Sequence, residues 1–304
     1  MTVTPADATA AANEAFGRHA GFRALHAKGT LLTGTFIATP EAAALTRAAH
    51  MQGEPVPATV RISNGGGNPN VPDFMPDVRG LAVKLYLPDG SRTDIVAQTA
   101  PRFVGSTPDV FLDLLRAQGP PLTVASKFPQ FLLRHPAALA GLPANLPALR
   151  PPVSYATARY YAIHAFRFLD AAGGARFVRY TFIPEAGDRR LSLRAAKALG
   201  PDYLQEEIRA RIQISRVRFA LELQIAQEGD PVDDPAAQWP RDRRRVLAGI
   251  LELTGLETER ETGGDVLVFD PTRVIDGIEL SNDPVLHFRR EAYSDSIARR
   301  TESS

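Results

Sequence analysis

The chain contains no cysteine. That single absence removes disulfides, thiolate-ligated metals, iron–sulfur clusters and cysteine nucleophiles together. It also leaves no thiol to lose to an oxidant, which is compatible with oxidant chemistry. An excess of one charge is lacking too. The 304 residues hold 35 basic and 34 acidic side chains, so nothing global favours nucleic acid or an anionic membrane, and neither is expected as a partner. No stretch approaches roughly eighteen uninterrupted apolar residues, so no membrane span is expected. Residues Met1 to Ala20 are Ala-rich but carry Asp7, Glu14 and Arg18, without the apolar core of a signal peptide, and the expected location is cytoplasmic. Apolar and charged contents are ordinary for a globular chain long enough to bury a core.

What is present reads as a β-rich pattern framed by helices. Thr4-Pro5-Ala6-Asp7 is a capped helix start. Strands are expected over Thr30–Thr39, Ala58–Ser63, Leu81–Leu87, Asp94–Val96, Tyr160–Leu169, Arg176–Ile183, Val217–Ala226, Val246–Leu253 and Val266–Phe269. Pro88-Asp89-Gly90 and Asp170–Gly174 mark hairpin turns. Helices are expected over Glu41–His50 behind a Thr39 cap, from Thr107-Pro108-Asp109, and from Pro201 through Ile212. The helix after Thr107 should pack Val110, Phe111, Leu114 and Leu115, and the proline-punctuated Pro120–Pro152 region suits short helices. A last helix starts at Asp283-Pro284, a cap followed by a proline at the first helical position. With no repeat and no long linker, one domain over 1–304 is the economical organisation.

Three clusters place polar groups among apolar residues: Arg23-x-x-His26, Arg61-x-Ser63 and Arg289-x-x-x-Tyr293. Arg61 and Ser63 share one face of their strand. Arg289 and Tyr293 lie one above the other on a helix, with Ile297 and Arg300 continuing the stripe. Spacing alone leaves two readings for that pair: an ordinary surface contact, or a guanidinium that holds a phenol as phenolate. A histidine beside a strand is either structural or an acid–base group, and a buried arginine has either a carboxylate or a ligand as partner.

The order and context of these clusters carry more. Val60-Arg61-Ile62-Ser63-Asn64-Gly65-Gly66-Gly67 followed by Pro76-Asp77-Val78-Arg79-Gly80-Leu81-Ala82-Val83-Lys84 resembles the catalase family. So do His26-Ala27-Lys28-Gly29, Phe166-Arg167-Phe168, Phe177-Val178-Arg179-Tyr180, Gly229-Asp230-Pro231 before Trp239-Pro240, and the Arg289-to-Tyr293 spacing. The resemblance runs from about residue 16 to 300. It implies an α+β fold: a catalase-like eight-stranded antiparallel β-barrel with surrounding helices, binding haem b. Tyr293 would be the axial iron ligand, an assignment inherited from the family. Arg289 would keep that oxygen ionised. His26 would be the acid–base catalyst on the opposite face, with Ser63 fixing its tautomer. Arg23, Arg61 and Arg300 match positions that hold the haem propionates, and Phe111 matches a ring that stacks on the porphyrin, although core packing explains it equally well.

The chain also departs from the family. Where typical catalases read Asp-Leu-Val-Gly-Asn-Asn-x-Pro, this sequence has Asp94-Ile95-Val96-Ala97-Gln98-Thr99-Ala100-Pro101, so Gln98 replaces a catalytic Asn. Arg102 stands at a usually apolar position and Ile297 at a usual His. The long arm, the wrapping segment and a flavodoxin-like C-terminal domain are missing, as in small catalase-related peroxidases. The expectation is a haem peroxidase that uses hydrogen peroxide or organic hydroperoxides to oxidise small organic donors through an oxoferryl intermediate, with weak or no catalase activity. Two alternatives stay open: a hydroperoxide-rearranging enzyme of allene oxide synthase type, and a non-catalytic haem-binding protein. A homodimer or a monomer fits the missing segments.

Overall fold

A computed structural model describes residues 3–258 and 267–291. The strands are β1 Gly29–Ala38, β2 Val56–Asn64, β3 Arg79–Tyr86, β4 Arg92–Gln98, β5 Tyr160–Tyr161, β6 Phe166–Leu169, β7 Ala175–Pro184, β8 Val217–Ile225, β9 Arg245–Leu256 and β10 Ile278–Leu280. Antiparallel pairing runs β1–β2–β3–β4–β5–β7–β8–β9 and returns to β1, which closes an eight-stranded barrel; β6 and β10 extend from β7. Closure leaves these eight strands no unpaired edge along most of their length.

The alternation of each strand sorts its side chains between lumen and outer face. Leu32, Val60, Val83 and Ile95 sit opposite one another across β1 to β4 and point into the main core, with Ile62, Leu81 and Ala97 in the next row. The intervening residues face outward in matching rows. One row is Gly29, Ser63, Gly80 and Gln98, the next is Leu31, Arg61, Ala82 and Val96, and a third is Thr33, Thr59, Lys84 and Asp94. The segment after residue 266 covers this face: Leu267 and Phe269 pack on Leu31, Ala82 and Val96. Lys84 and Asp94 are buried there as an ion pair at 2.5 Å, and Asp94 also accepts from Arg273 and from the Asp270 amide, which ties the covering segment down.

The helices are α1 Pro5–Phe16, α2 Pro40–Ala43, α3 Pro108–Arg116, α4 Pro121–Arg134, α5 Pro136–Leu149, α6 Leu193–Ala198 and α7 Tyr203–Ile214, and the backbone is helical again over 284–291 (α8). The expected cap of α1 is a full capping box between Thr4 and Asp7. Several expectations need correction. α2 ends at Ala43 rather than running to His50, because long-range partners claim the groups a helix would use: Arg47 N donates to Leu169, and the Thr46 hydroxyl bonds Gly277. The expected Tyr160–Leu169 strand breaks between β5 and β6, where Ala162 N bonds Tyr180 and His164 turns toward Asp283. In α3 the fully buried residues are Leu112 and Leu115, while Val110, Phe111 and Leu114 are half-buried, and the Thr107 side chain makes no cap bond. The strand expected over Val266–Phe269 begins outside the described residues, and 267–269 is not a strand. α6 and β10 were not foreseen.

Candidate active site

The strap after α1 lays His26 over the outer row of Ser63 and Gly80. Its backbone is held by a glycine loop: His26 N donates to Gly65 O and Ala27 N to Gly66 O, while Asp77 accepts from the Gly65 and Gly66 amides. A Cβ at Gly67 would lie 2.1 Å from Ala24 O, so the strap and loop touch backbone to backbone. His26 has φ +55°, the one positive φ outside glycine among the described residues. Such a conformation costs on the order of 1–3 kcal/mol and persists only where the surroundings enforce it.

His26 Nδ1 lies 3.0 Å from Ser63 Oγ. Gly80 makes room for both: a Cβ there would meet Nδ1 at 2.8 Å and Ser63 Oγ at 2.9 Å, so the imidazole rests on the β3 backbone. Burial, and then the Arg61, Arg289 and Arg23 guanidiniums, push the His26 pKa down to about 3, against a backbone hydrogen bond at Asn64 that works the other way. The ring is therefore neutral at ordinary pH and able to accept a proton. Arg61 lies across Gly29, where a Cβ would meet its Cζ at 2.8 Å, and donates to Ala27 O; Arg23 donates to Leu267 O and stands 5.8 Å from the Phe269 ring.

Gln98 belongs to the same row as Ser63 and Gly80. Its amide Nε2 donates to Ala100 O, two residues beyond the end of β4, at 3.3 Å. Phe111 packs with the α1–α3 cluster and tilts against Phe103 at 5.2 Å between centroids. Arg102 donates to Ala236 O and tethers two loops. Tyr293, Ile297 and Arg300 lie outside the described residues.

Sequence reasoning missed a second constellation. Arg289 Nη1 is 3.1 Å from His164 Nε2, and His164 Nδ1 is 2.6 Å from Asp283 Oδ2. A guanidinium can only donate, so Nε2 must accept and Nδ1 must carry the hydrogen that goes to the carboxylate. The tautomer is fixed by its neighbours. Asp283 also performs its expected capping role, since Oδ1 accepts from the Val285 and Leu286 amides. His164 and Asp283 are both buried, and burial lowers the histidine pKa. The available signal was a lone His ahead of Phe166-Arg167-Phe168; its partner lies more than a hundred residues away, beyond the reach of spacing arguments.

The Catalase family model matches residues 17–303. A catalase-related peroxidase of Mycolicibacterium paratuberculosis is 50% identical over 299 residues, covering 98% of this chain and 95% of the relative. Another catalase-related peroxidase, from Synechococcus elongatus, is 34% identical over 303 residues, 98% of this chain and 89% of its own length. Among solved structures, a fungal catalase superposes with a TM-score of 0.82 at 24% identity, over 93% of this chain and 60% of that one. Catalase A from Saccharomyces cerevisiae gives 0.81 at 24% identity, over 93% and 62%. The chain thus spans about three fifths of these two larger proteins, whose likeness is one of fold.

Proposed function

From the premise that this chain belongs to the catalase family, we propose that it is a haem peroxidase in which His26 handles the protons of the peroxide and Gln98 limits dismutation. The residues present fit a planar dianionic group. Guanidiniums of Arg23 and Arg61 flank the neutral His26, and Gly29 and Gly80 make the room in which Arg61 and the His26–Ser63 pair are seated. Arg23 and Arg61, with Arg300, would hold the two propionates of haem b by charge-assisted bonds. Tyr293 would ligate the iron, with Arg289 one turn earlier favouring its ionised form. Phe111 is the remaining candidate for a ring contact. When bound, haem supplies the electrons that cleave the peroxide O–O bond and later recovers them from a donor.

The chain's own contribution is proton transfer in a fixed geometry. With Nδ1–H donating to Ser63 Oγ, the Nε2 lone pair of His26 takes the proton from the inner oxygen of hydrogen peroxide or an alkyl hydroperoxide. The same atom returns it to the outer oxygen, which leaves as water or an alcohol. The observation that carries this reading is the His26–Ser63 pair seated on Gly80, in a conformation that the Gly65–Gly67 loop forces on it. Dismutation needs a second peroxide held by an amide beside His26, and the Gln98 amide is turned to Ala100 O instead. Small organic donors, giving one electron at a time, are then the preferred reductants.

Two measurements test this. The ferric spectrum of the haem-loaded protein should show a tyrosinate-ligated iron that is lost in Tyr293→Phe. Donor oxidation, with guaiacol as probe, should outrun oxygen release from hydrogen peroxide, and Gln98→Asn should shift the ratio toward oxygen. Vigorous oxygen release from the unaltered protein would defeat the assignment of Gln98. Turnover of an alkyl hydroperoxide without any donor would instead mark a rearranging enzyme.

A further inference from the structure

Helix α5 is apolar on the side that faces solvent, and α4 exposes leucines there among Ser126, Lys127, Gln130 and Arg134. On α4, Leu122, Ser126, Pro129 and Leu133 follow the i, i+4, i+7, i+11 spacing of one face, and all four are exposed. Leu122 and Leu133 are 86% and 84% exposed. On α5, Pro136, Leu139, Ala140, Pro143, Leu146 and Pro147 form the exposed face, and Asn145 is the only polar side chain in the helix. The opposite faces already pack inward through Phe131, Gly141 and Ala148. The protein core therefore does not account for the outward leucines, and a contiguous exposed apolar face marks a contact surface.

Charge identifies the partner. Residues 114–169 contain no aspartate or glutamate, although the chain as a whole has nearly equal numbers of acids and bases. Exposed Lys127, Arg134 and Arg150 stand on or at the ends of the two helices. Self-association through this face would bring like charges together. An anionic surface with an apolar interior complements both features.

We propose that the α4–α5 hairpin is a docking surface for anionic lipid bilayers, with its leucines entering the acyl boundary and its cations meeting the headgroups. No helix among the described residues is long and apolar enough to cross a membrane, so the contact is interfacial. It revises the expectation, drawn from net charge alone, that no membrane takes part. A cleft of about 330 Å³ beside α5 gives docking a use. Ala144, Pro147 and Arg150 line it from the hairpin side, Thr99 and Pro101 from the segment after β4, Tyr161 from β5, and Asp188 and Arg190 from the segment after β7. Thr99 follows Gln98 and Tyr161 is the cross-strand partner of Gln98, so the cleft opens beside the end of the strand that carries Gln98. Acyl-chain hydroperoxides become the matching substrate class, a consequence that rests on the peroxidase reading; membrane binding itself does not.

The test is co-sedimentation of the haem-loaded full chain with vesicles, which reads binding without turnover. The protein should pellet with phosphatidylcholine–phosphatidylglycerol vesicles, less so at high salt, and remain in solution with phosphatidylcholine alone. The pair Leu122→Asp and Leu133→Asp should abolish pelleting. Lys127→Glu and Arg134→Glu should each weaken it by about fivefold or more. Circular dichroism and guaiacol oxidation in solution should match the unaltered protein, which separates lost docking from lost folding. Pelleting that ignores lipid charge, or survives the leucine pair, overturns the proposal. So does a dimer in size-exclusion chromatography that Leu133→Asp splits while no vesicle binds, because the face then belongs to a second copy.

Discussion

The two histidines of the candidate site are held in opposite ways. His164 is buried, satisfied at both ring nitrogens, and fixed in one tautomer by Asp283 and Arg289. His26 adopts a backbone conformation histidine disfavours and bonds a hydroxyl that can donate or accept. One ring is locked by its partners; the other is placed by the glycine loop and keeps a nitrogen for chemistry. On the proposed reading, strain falls where protons would move and saturation where a neighbour would be oriented, the division of labour that pre-organised sites need.

Removing each ring should therefore cost a different quantity. His26→Gln is expected to lower the rate of peroxide consumption by about 10²–10⁴-fold, the range for a lost general acid–base group, with little change in stability. Stopped-flow mixing with hydrogen peroxide reads the first and thermal unfolding the second; a retained rate would mean the base lies elsewhere. His164→Phe should do the reverse in emphasis. It leaves Oδ2 of the buried Asp283 carboxylate without its hydrogen-bond donor, while Oδ1 keeps the Val285 and Leu286 amides, so a stability loss of about 3 kcal/mol is expected in urea unfolding. Adding Asp283→Asn to His164→Phe should recover part of that loss, and strict additivity of the two changes would show that the pair is not coupled.

Gly80→Ala probes the bed beneath His26. Its methyl would sit within 3 Å of both Nδ1 and Ser63 Oγ, so imidazole and hydroxyl must shift. A displacement of about an ångström is expected to cost roughly a hundredfold in rate. The fold should lose about 1–3 kcal/mol, as for other overpacked sites. If rate and stability are both untouched, His26 does not need the β3 backbone as its support.

Much of this was legible in the sequence, for reasons that differ by residue. Alternation fixed which faces Arg61 and Ser63 occupy, and Thr4, Pro40 and the Asp170–Gly174 turn announced their elements through local chemistry. The barrel came from resemblance, as did the roles proposed for His26 and Arg289. Local rules failed where distant groups intervened. Thr46 and Arg47 abandon α2 for Gly277 and Leu169, and His164 breaks a strand to reach Asp283. Gly80 looked like an unremarked strand glycine; only the register that sets it opposite Ser63 reveals what it accommodates.

The smallest effect distinguishes the rings by pH. Burial lowers the pKa of His26 to about 3 and that of His50, packed near Phe36, to about 4, whereas in the unfolded chain both titrate near their ordinary value of about 6.5. Above that value both states are neutral and neither ring affects stability. As pH falls below about 6.5 the unfolded chain takes up protons that the folded one refuses, so stability declines by up to about 1.4 kcal/mol per pH unit for each ring. The decline from each ring ends once the folded state is protonated as well. His50→Leu, which replaces a ring whose Nδ1 has no hydrogen-bond partner, and His26→Gln should each flatten the acid limb of a plot of unfolding free energy against pH. His164→Phe removes a ring whose pKa burial also lowers and leaves Asp283 Oδ2 without that partner, so its plot should shift as a whole as well as change slope. An acid limb unchanged by the loss of either His26 or His50 would mean that the ring titrates alike in the folded and unfolded chains, so that the folded protein does not hold His26 neutral in acid.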